Sequence, residues 1–214
     1  MKILCINTAF SVASLALKTE NGEDFLTLDA NAKSSEKVLP AIDDILQKNG
    51  ISIGEIDIVS VVVGPGSFTG VRIGAALVKG FCVAVPHLKV VAVNSLDLMA
   101  FDFACFHAPS KNFCAIQNAL GGRFFVREYA SDATPLGQAK LVCELPTETK
   151  VGLKPEALSE ADVFVDCAPT ALLQYSLALI EANAFVDAKT FAPVYLRLSQ
   201  AEENLQKKEE NAEN

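Results

Sequence analysis

The chain has little of what metal or acid–base chemistry requires. Only two histidines, His87 and His107, occur in 214 residues, and none of the six cysteines stands in a CxxC pair. Zinc sites need paired ligand spacings, so Cys105-Phe106-His107 with Cys114 reads as loop and core, and no metal is expected. Basic patches are missing too. Lysines and arginines are scattered singly, except Lys207 and Lys208 in an acidic tail, and the net charge is −8. A chain with a pI near 4.8 offers a phosphate backbone no electrostatic footprint, which argues against a main nucleic-acid contact. No run is long and apolar enough to span a bilayer, so no membrane contact is expected. Met1-Lys2 and the apolar stretch to Leu17 resemble a signal peptide, but Asn7, Thr8, Ser11 and Ser14 interrupt it. Two strands joined by a turn at Thr8 to Ser11 fit that stretch better.

What is present is apolar. Half of the residues are hydrophobic and 21% are charged, enough for a sizeable core in one domain or two small lobes. Several of the cysteines (Cys5, Cys82, Cys105, Cys114, Cys143 and Cys167) sit inside apolar runs. There a free thiol acts as a small hydrophobe, kept reduced in the cytosol, so a cytoplasmic location is expected.

The pattern predicts strands over Lys2–Asn7, Val12–Thr19 and Asp24–Asp29, the last two joined by an Asn21-Gly22 hairpin turn. A helix starts at Ser34-Ser35-Glu36 with Val38, Leu39, Ile42, Ile45 and Leu46 on one face, Pro40 near its first turn and Asn49-Gly50 as its C-cap. Ile56–Val63 is a nearly continuous β-branched run, as in a strand buried on both faces. A helix over 69–85, a strand over Leu88–Val93 and a helix capped by Ser95 follow. The second half suggests strands over Asn112–Asn118, Arg123–Tyr129, Gln138–Cys143 and Val163–Cys167, a helix from Pro169, and an extended Thr190–Leu198. The order βββ-α-β-α-β-α is that of the ribonuclease H-like fold, the repeating lobe of actin-like ATPases.

The densest motif is Gly64-Pro65-Gly66-Ser67-Phe68-Thr69-Gly70-Val71-Arg72-Ile73-Gly74, between a buried strand and a helix. Glycines there allow sharp turns and close approach, and helix-start N–H groups can hold an anion. The spacing is neither a Walker A loop nor GxGxxG. As chemistry alone it leaves two readings open, a tight structural turn or a phosphate cradle.

This motif, following a first strand of the form ILxIxT, resembles the signature of the TsaB (YeaZ) family. Val90–Leu96, Val38-Leu39-Pro40 and Pro193–Arg197 are similar to the family's segments as well. The resemblance implies an α/β fold of two ribonuclease H-like lobes, the second reduced, here divided as 1–106 and 107–198 with an acidic, solvated tail at 199–214. It implies a heterodimer with the catalytic paralogue TsaD, joined by the ATPase TsaE, that attaches threonylcarbamoyl to the adenosine beside the anticodon of tRNAs reading ANN codons. A homodimer is the alternative when the chain is alone. No cofactor is expected on this chain by itself, with ATP or ADP left to the assembled complex. The sequence departs from the family pattern at Asn7, Ser34 and Gln117-Asn118-Ala119, where an acidic residue, a His and an Asp-Ala-Arg stretch are usual.

The residues agree with a non-catalytic subunit. Phosphoryl transfer needs carboxylates for magnesium, and Asn7 supplies no charge. No Ser-His pair or zinc ligand set supports a protease. The rival readings are a small-molecule kinase or nucleotide hydrolase, opposed by the short chain and Asn7, and a secreted disulfide protein. A partner surface is expected on the helix after the motif, at Gly70, Ile73, Gly74, Leu77 and Phe81, because that helix is apolar on more sides than one sheet can cover. Gly70 and Gly74, one turn apart, suggest a second helix approaching closely.

Overall fold

A computed structural model describes residues 1–28, 34–156 and 158–197. The tail at 199–214, Leu198, Asp29 and the Ser34 side chain lie outside the described residues.

The first sheet starts with β1 (Ile3–Asn7), β2 (Ser14–Thr19) and β3 (Gly22–Thr27), an antiparallel meander. Helix α1 (Ser34–Lys48) leads to β4 (Ile58–Gly64), helix α2 (Phe68–Ala84) to β5 (Lys89–Asn94), and helix α3 (Ser95–His107) leaves the sheet. β4 pairs parallel to both β1 and β5. Every residue of β1 and β4 is buried, as their unbroken apolar runs require. Leu4 and Ile6 pack with α1 and α2 residues such as Ile42, Ile45 and Val78, while Ile3 and Cys5 pack toward α3 and the second sheet.

The second sheet repeats the scheme. β6 (Phe113–Asn118), β7 (Phe124–Tyr129) and β8 (Lys140–Val142) form a meander, and β9 (Thr149–Leu153) and β10 (Val163–Val165) add in parallel beside β6. Its order, β10-β9-β6-β7-β8, mirrors β5-β4-β1-β2-β3 of the first sheet. No described helix joins β8 to β9, and a single 3-10 turn, Lys154–Glu156, stands where α2 stands in the first lobe. These are two ribonuclease H-like lobes, the second reduced.

Several local expectations shift. Pro40 lies in the second turn of α1, not the first, on its exposed side. Asn94, not Ser95, caps α3: its Oδ1 accepts from the Leu96 and Asp97 amides at 2.9 and 3.3 Å. The Ser95 hydroxyl donates to the Pro65 carbonyl instead. β9 and β11 (Phe185–Val186) were not foreseen, and Thr190–Arg197 forms no strand. A cut at 107 does not follow the sheets either. Helix α4 (Pro169–Glu181) packs on β1 and β2, and β11 pairs with β5, so the chain returns to the first sheet after β10.

α3 lies between the sheets and ties them by charge. Asp97 Oδ1 accepts from Arg127 Nη1 and from the Tyr129 hydroxyl, both at 2.7 Å. Both ends of the ion pair are about one-fifth exposed, and Tyr129 is fully buried. Removing one member leaves the others desolvated without a partner, so Asp97→Ala is expected to cost about 2–4 kcal/mol in urea unfolding.

All six cysteines are free; Cys105 and Cys143 are exposed, while Cys5, Cys114 and Cys167 are buried. Burial pushes the Cys5 and Cys114 thiols up to about 12. A thiol reagent at pH 8 is expected to label Cys105 and Cys143 rapidly, and all six after denaturation without reductant. Labelling of Cys5 or Cys167 in the native protein at the same rate would contradict this packing.

Candidate functional site

The Gly-rich loop clasps the turn after β1. Thr8 and Ala9, both 1% exposed, fill the space under the start of α2. Thr8 Oγ1 donates to the Gly70 carbonyl at 2.7 Å, and the Ser67 N–H donates to the Ala9 carbonyl at 2.8 Å. A Cβ on Gly66 would stand 2.5 Å from the Ala9 oxygen, one on Gly70 1.8 Å from the Thr8 oxygen, and one on Gly74 2.7 Å from Thr8 Oγ1. Here glycine is required for close approach of backbone to backbone. Ser67 caps α2 by accepting from the Gly70 N–H at 3.1 Å. Two of the amides a phosphate would use, those of Ser67 and Gly70, are therefore bonded within the chain, and the geometry favours a tight structural turn.

This also corrects the partner face. Gly70 and Gly74 are not an open groove for a second helix; Thr8 and Val61 of the same chain cover them. Ile73, Leu77 and Phe81 are half-buried, while Arg72, Ala76, Lys79, Gly80 and Val83 are exposed.

The two lobes present matching turns toward one another. Asn7 Oδ1 accepts from the Ala9 N–H at 3.1 Å, and Asn118 Oδ1 accepts from the Leu120 N–H at 2.7 Å, each at the end of its lobe's first strand. Between the motif loop, Ala9 and Ser11 on one side and Gln117–Leu120 on the other lies a cavity of about 560 Å³, which Asn118 lines and Asn7 does not. Of the motif residues, Gly66, Ser67, Phe68 and Thr69 line it; Gly64 and Pro65 do not. Gln117, Asn118, Ala119, Glu156, Tyr195 and Arg197 complete its polar rim and walls. Gln117 Nε2 donates to Glu156 Oε1 at 3.1 Å. Burial holds the Glu156 carboxyl above the usual range, partly offset by the Gln117 amide and the Asn118 N–H. Arg197 donates to the Ala119 carbonyl. At the mouth, the Arg72 guanidinium lies 3.7 Å from the Phe68 ring centre, and Arg72 Nε donates to the Tyr195 hydroxyl at 3.0 Å. Among the described residues no three His, Cys, Asp or Glu side chains gather as metal ligands, and no helix is long and apolar enough to cross a membrane.

The comparisons with known proteins point to threonylcarbamoyladenosine synthesis in tRNA. A family model described as "TsaD: tRNA N6-adenosine threonylcarbamoyltransferase" matches residues 27–130. The chain is 29% identical over 160 residues to the Escherichia coli tRNA threonylcarbamoyladenosine biosynthesis protein TsaB, covering 75% of this chain and 65% of that one. It is 31% identical over 125 residues to the Haemophilus influenzae TsaB, covering 58% and 52%. The chain is similar to proteins of the TsaB (YeaZ) family. The matched stretches span about half to two thirds of these TsaB relatives. The fold is that of YeaZ from Pseudomonas aeruginosa, with a TM-score of 0.75 at 20% identity over 91% of this chain and 99% of that one.

Glu156, Tyr195 and Arg197 were not singled out from the sequence as site residues, although Arg197 and Tyr195 fall in a segment similar to TsaB. Glu156 carries no local signal; it matters because β9 and β6 are neighbours, which only the sheet order reveals.

Proposed function

We propose that this chain is a non-catalytic subunit in the synthesis of N6-threonylcarbamoyladenosine in tRNA, acting by binding and activating a TsaD-like transferase. The observation that carries this reading is the state of the interlobe turns. Asn7 and Asn118 end the first strands of the two lobes with uncharged amides, which supply no charge to hold magnesium, and the motif glycines fill the first turn with the chain's own backbone. The TsaB relatives, named for this pathway, supply the process. In this reading the chain works in the cytoplasm, a TsaE-like ATPase joins the assembly, nucleotide is held only by the assembled complex, and the chain pairs with itself when TsaD is absent.

The partner surface is the outer side of α2. Ile73, Ala76, Leu77 and Gly80 recur at helical spacing on a side not fully covered by the chain, and a Cβ on Gly80 would meet nothing within 4 Å. Size-exclusion of the purified chain mixed with a TsaD-like protein tests the pairing. Co-elution at one-to-one stoichiometry supports it. Separate elution, together with magnesium-dependent ATP turnover by the chain alone, would overturn it in favour of a kinase or nucleotide hydrolase.

A further inference from the structure

Helix α2 carries two cations, Arg72 and Lys79, and no carboxylate along its length. Both are exposed, and aromatic rings steer both. Arg72 lies over Phe68 and donates to the Tyr195 hydroxyl, and Lys79 Nζ stands 5.3 Å from the Phe191 ring centre. Among the described residues no carboxylate forms an ion pair with either. Seven residues separate them, about two helical turns, so with the exposed Ala76 they form one stripe on the outer side. Gly80 beside that stripe leaves it open to close approach, since a Cβ there would meet nothing within 4 Å.

Residues 199–214 hold the complementary pattern. They contain five glutamates and two lysines. Glu202 and Glu209 are also seven residues apart, with Leu205 between them. At helical spacing Lys207 is four residues from Glu203 and three from Glu210, so it offsets those two charges. Glu202 and Glu209 have no cation three or four residues away. The segment also begins where the stripe begins, because Tyr195, four residues before Ser199, touches Arg72. Residues 198–201, about 13 Å when extended, give it the reach to lie along α2. The chain is acidic overall, with a net charge of −8, so an acid-free helix with two cations is where an acidic segment is drawn.

We infer that residues 199–214 dock as a helix along the outer side of α2, parallel to it, and cover that side until a partner displaces them. Glu202 meets Arg72, Glu209 meets Lys79, and Leu205 lies beside Ala76 and Gly80. Exposed ion pairs contribute little each. A tethered segment needs little, because its effective concentration is on the order of millimolar. The regulatory role rests on the reading above, that the outer side of α2 receives a TsaD-like protein; the docking itself does not.

The test uses the full chain, followed by ¹H–¹⁵N shifts. Glu202→Gln with Glu209→Gln is expected to move the amides of Arg72–Gly80 in the direction that about 0.5 M salt moves them in the wild-type chain, because salt screens exposed pairs. Glu203→Gln with Glu210→Gln, which removes the same charge from another side, is expected to leave them in place. Lys79→Glu is expected to shift the amides of 199–214, and adding Glu209→Lys to restore them. The wild-type shifts should survive about tenfold dilution, since the contact lies within one chain. Shifts lost on dilution would place the segment on a second copy and overturn the proposal. So would α2 amides that ignore Glu202 and Glu209, or that respond equally to both pairs. Affinity for a TsaD-like protein is expected to rise about tenfold in Glu202→Gln with Glu209→Gln, as for a surface covered about nine-tenths of the time. Unchanged affinity with the shifts present overturns the regulatory role. No TsaD binding by any form overturns the partner reading instead, and leaves the docking, read on the chain alone, standing.

Discussion

Gly70→Ala is expected to destabilise the protein more than any other single methyl addition, by about 3 kcal/mol or more, as overpacking against rigid neighbours does. The added Cβ would fall 1.8 Å from the Thr8 carbonyl oxygen and 2.9 Å from its carbon, and both are backbone atoms. No rotamer relieves that clash. Either α2 moves off the sheet or the β1–β2 turn opens, and Thr8 loses its bond to the Gly70 carbonyl. Gly74→Leu should fail similarly, since its first carbon already meets Thr8 Oγ1 at 2.7 Å and Val61 at 3.2 Å. Gly80→Ala is the internal control. It lies in the same helix in open space, so replacing glycine there should stabilise by about 0.5–1 kcal/mol. Urea midpoints with an unchanged slope separate the two cases. If Gly70→Ala unfolds at the wild-type midpoint, the clasp is not what the glycines serve.

Ala76→Arg is expected to leave the monomer folded and to weaken its complex with a TsaD-like protein about a hundredfold or more, as a bulky charge at the centre of a close-packed apolar interface does. Ala76 is exposed and sits amid Ile73, Leu77 and Gly80. A long charged side chain there costs the isolated chain little, because its stem lies in solvent. Across an interface it holds a partner helix away and buries a charge without a partner. Circular dichroism should show the native helix content, and size-exclusion the loss of co-elution. Wild-type affinity in this variant would move the partner surface elsewhere.

The contrast between these positions shows what the sequence could reveal. That α2 is apolar on several sides, with Gly70 and Gly74 one turn apart, was readable from composition and spacing. What closes on them was not, because Thr8 lies 62 residues away from Gly70 and reaches it only through the pairing of β1 with β4. Strands with unbroken β-branched or aliphatic runs, β1 and β4, stood out because burial on both faces leaves one signature. β9 was lost because Thr149, Lys150 and Gly152 dilute its pattern; Gly152 is there for Ala161, whose Cβ would lie 2.7 Å from an added one. β11, two residues long, has no pattern to read and is held by the edge of β5. The repeat of one topology in both sheets was expected from the family resemblance alone and not from the residues. It rests on sheet order, while the sequences of the two lobes share little beyond an Asn at the end of the first strand.

The most direct test of the account is reconstitution of tRNA modification from purified parts. A TsaD-like transferase, a TsaE-like ATPase, tRNA, ATP and the activated threonylcarbamoyl donor are incubated with and without this chain, and modified adenosine is quantified by mass spectrometry of nucleosides. The account predicts modification only when the chain is present, none from the chain alone, and loss of modification with Ala76→Arg. Full modification in the absence of the chain would contradict it.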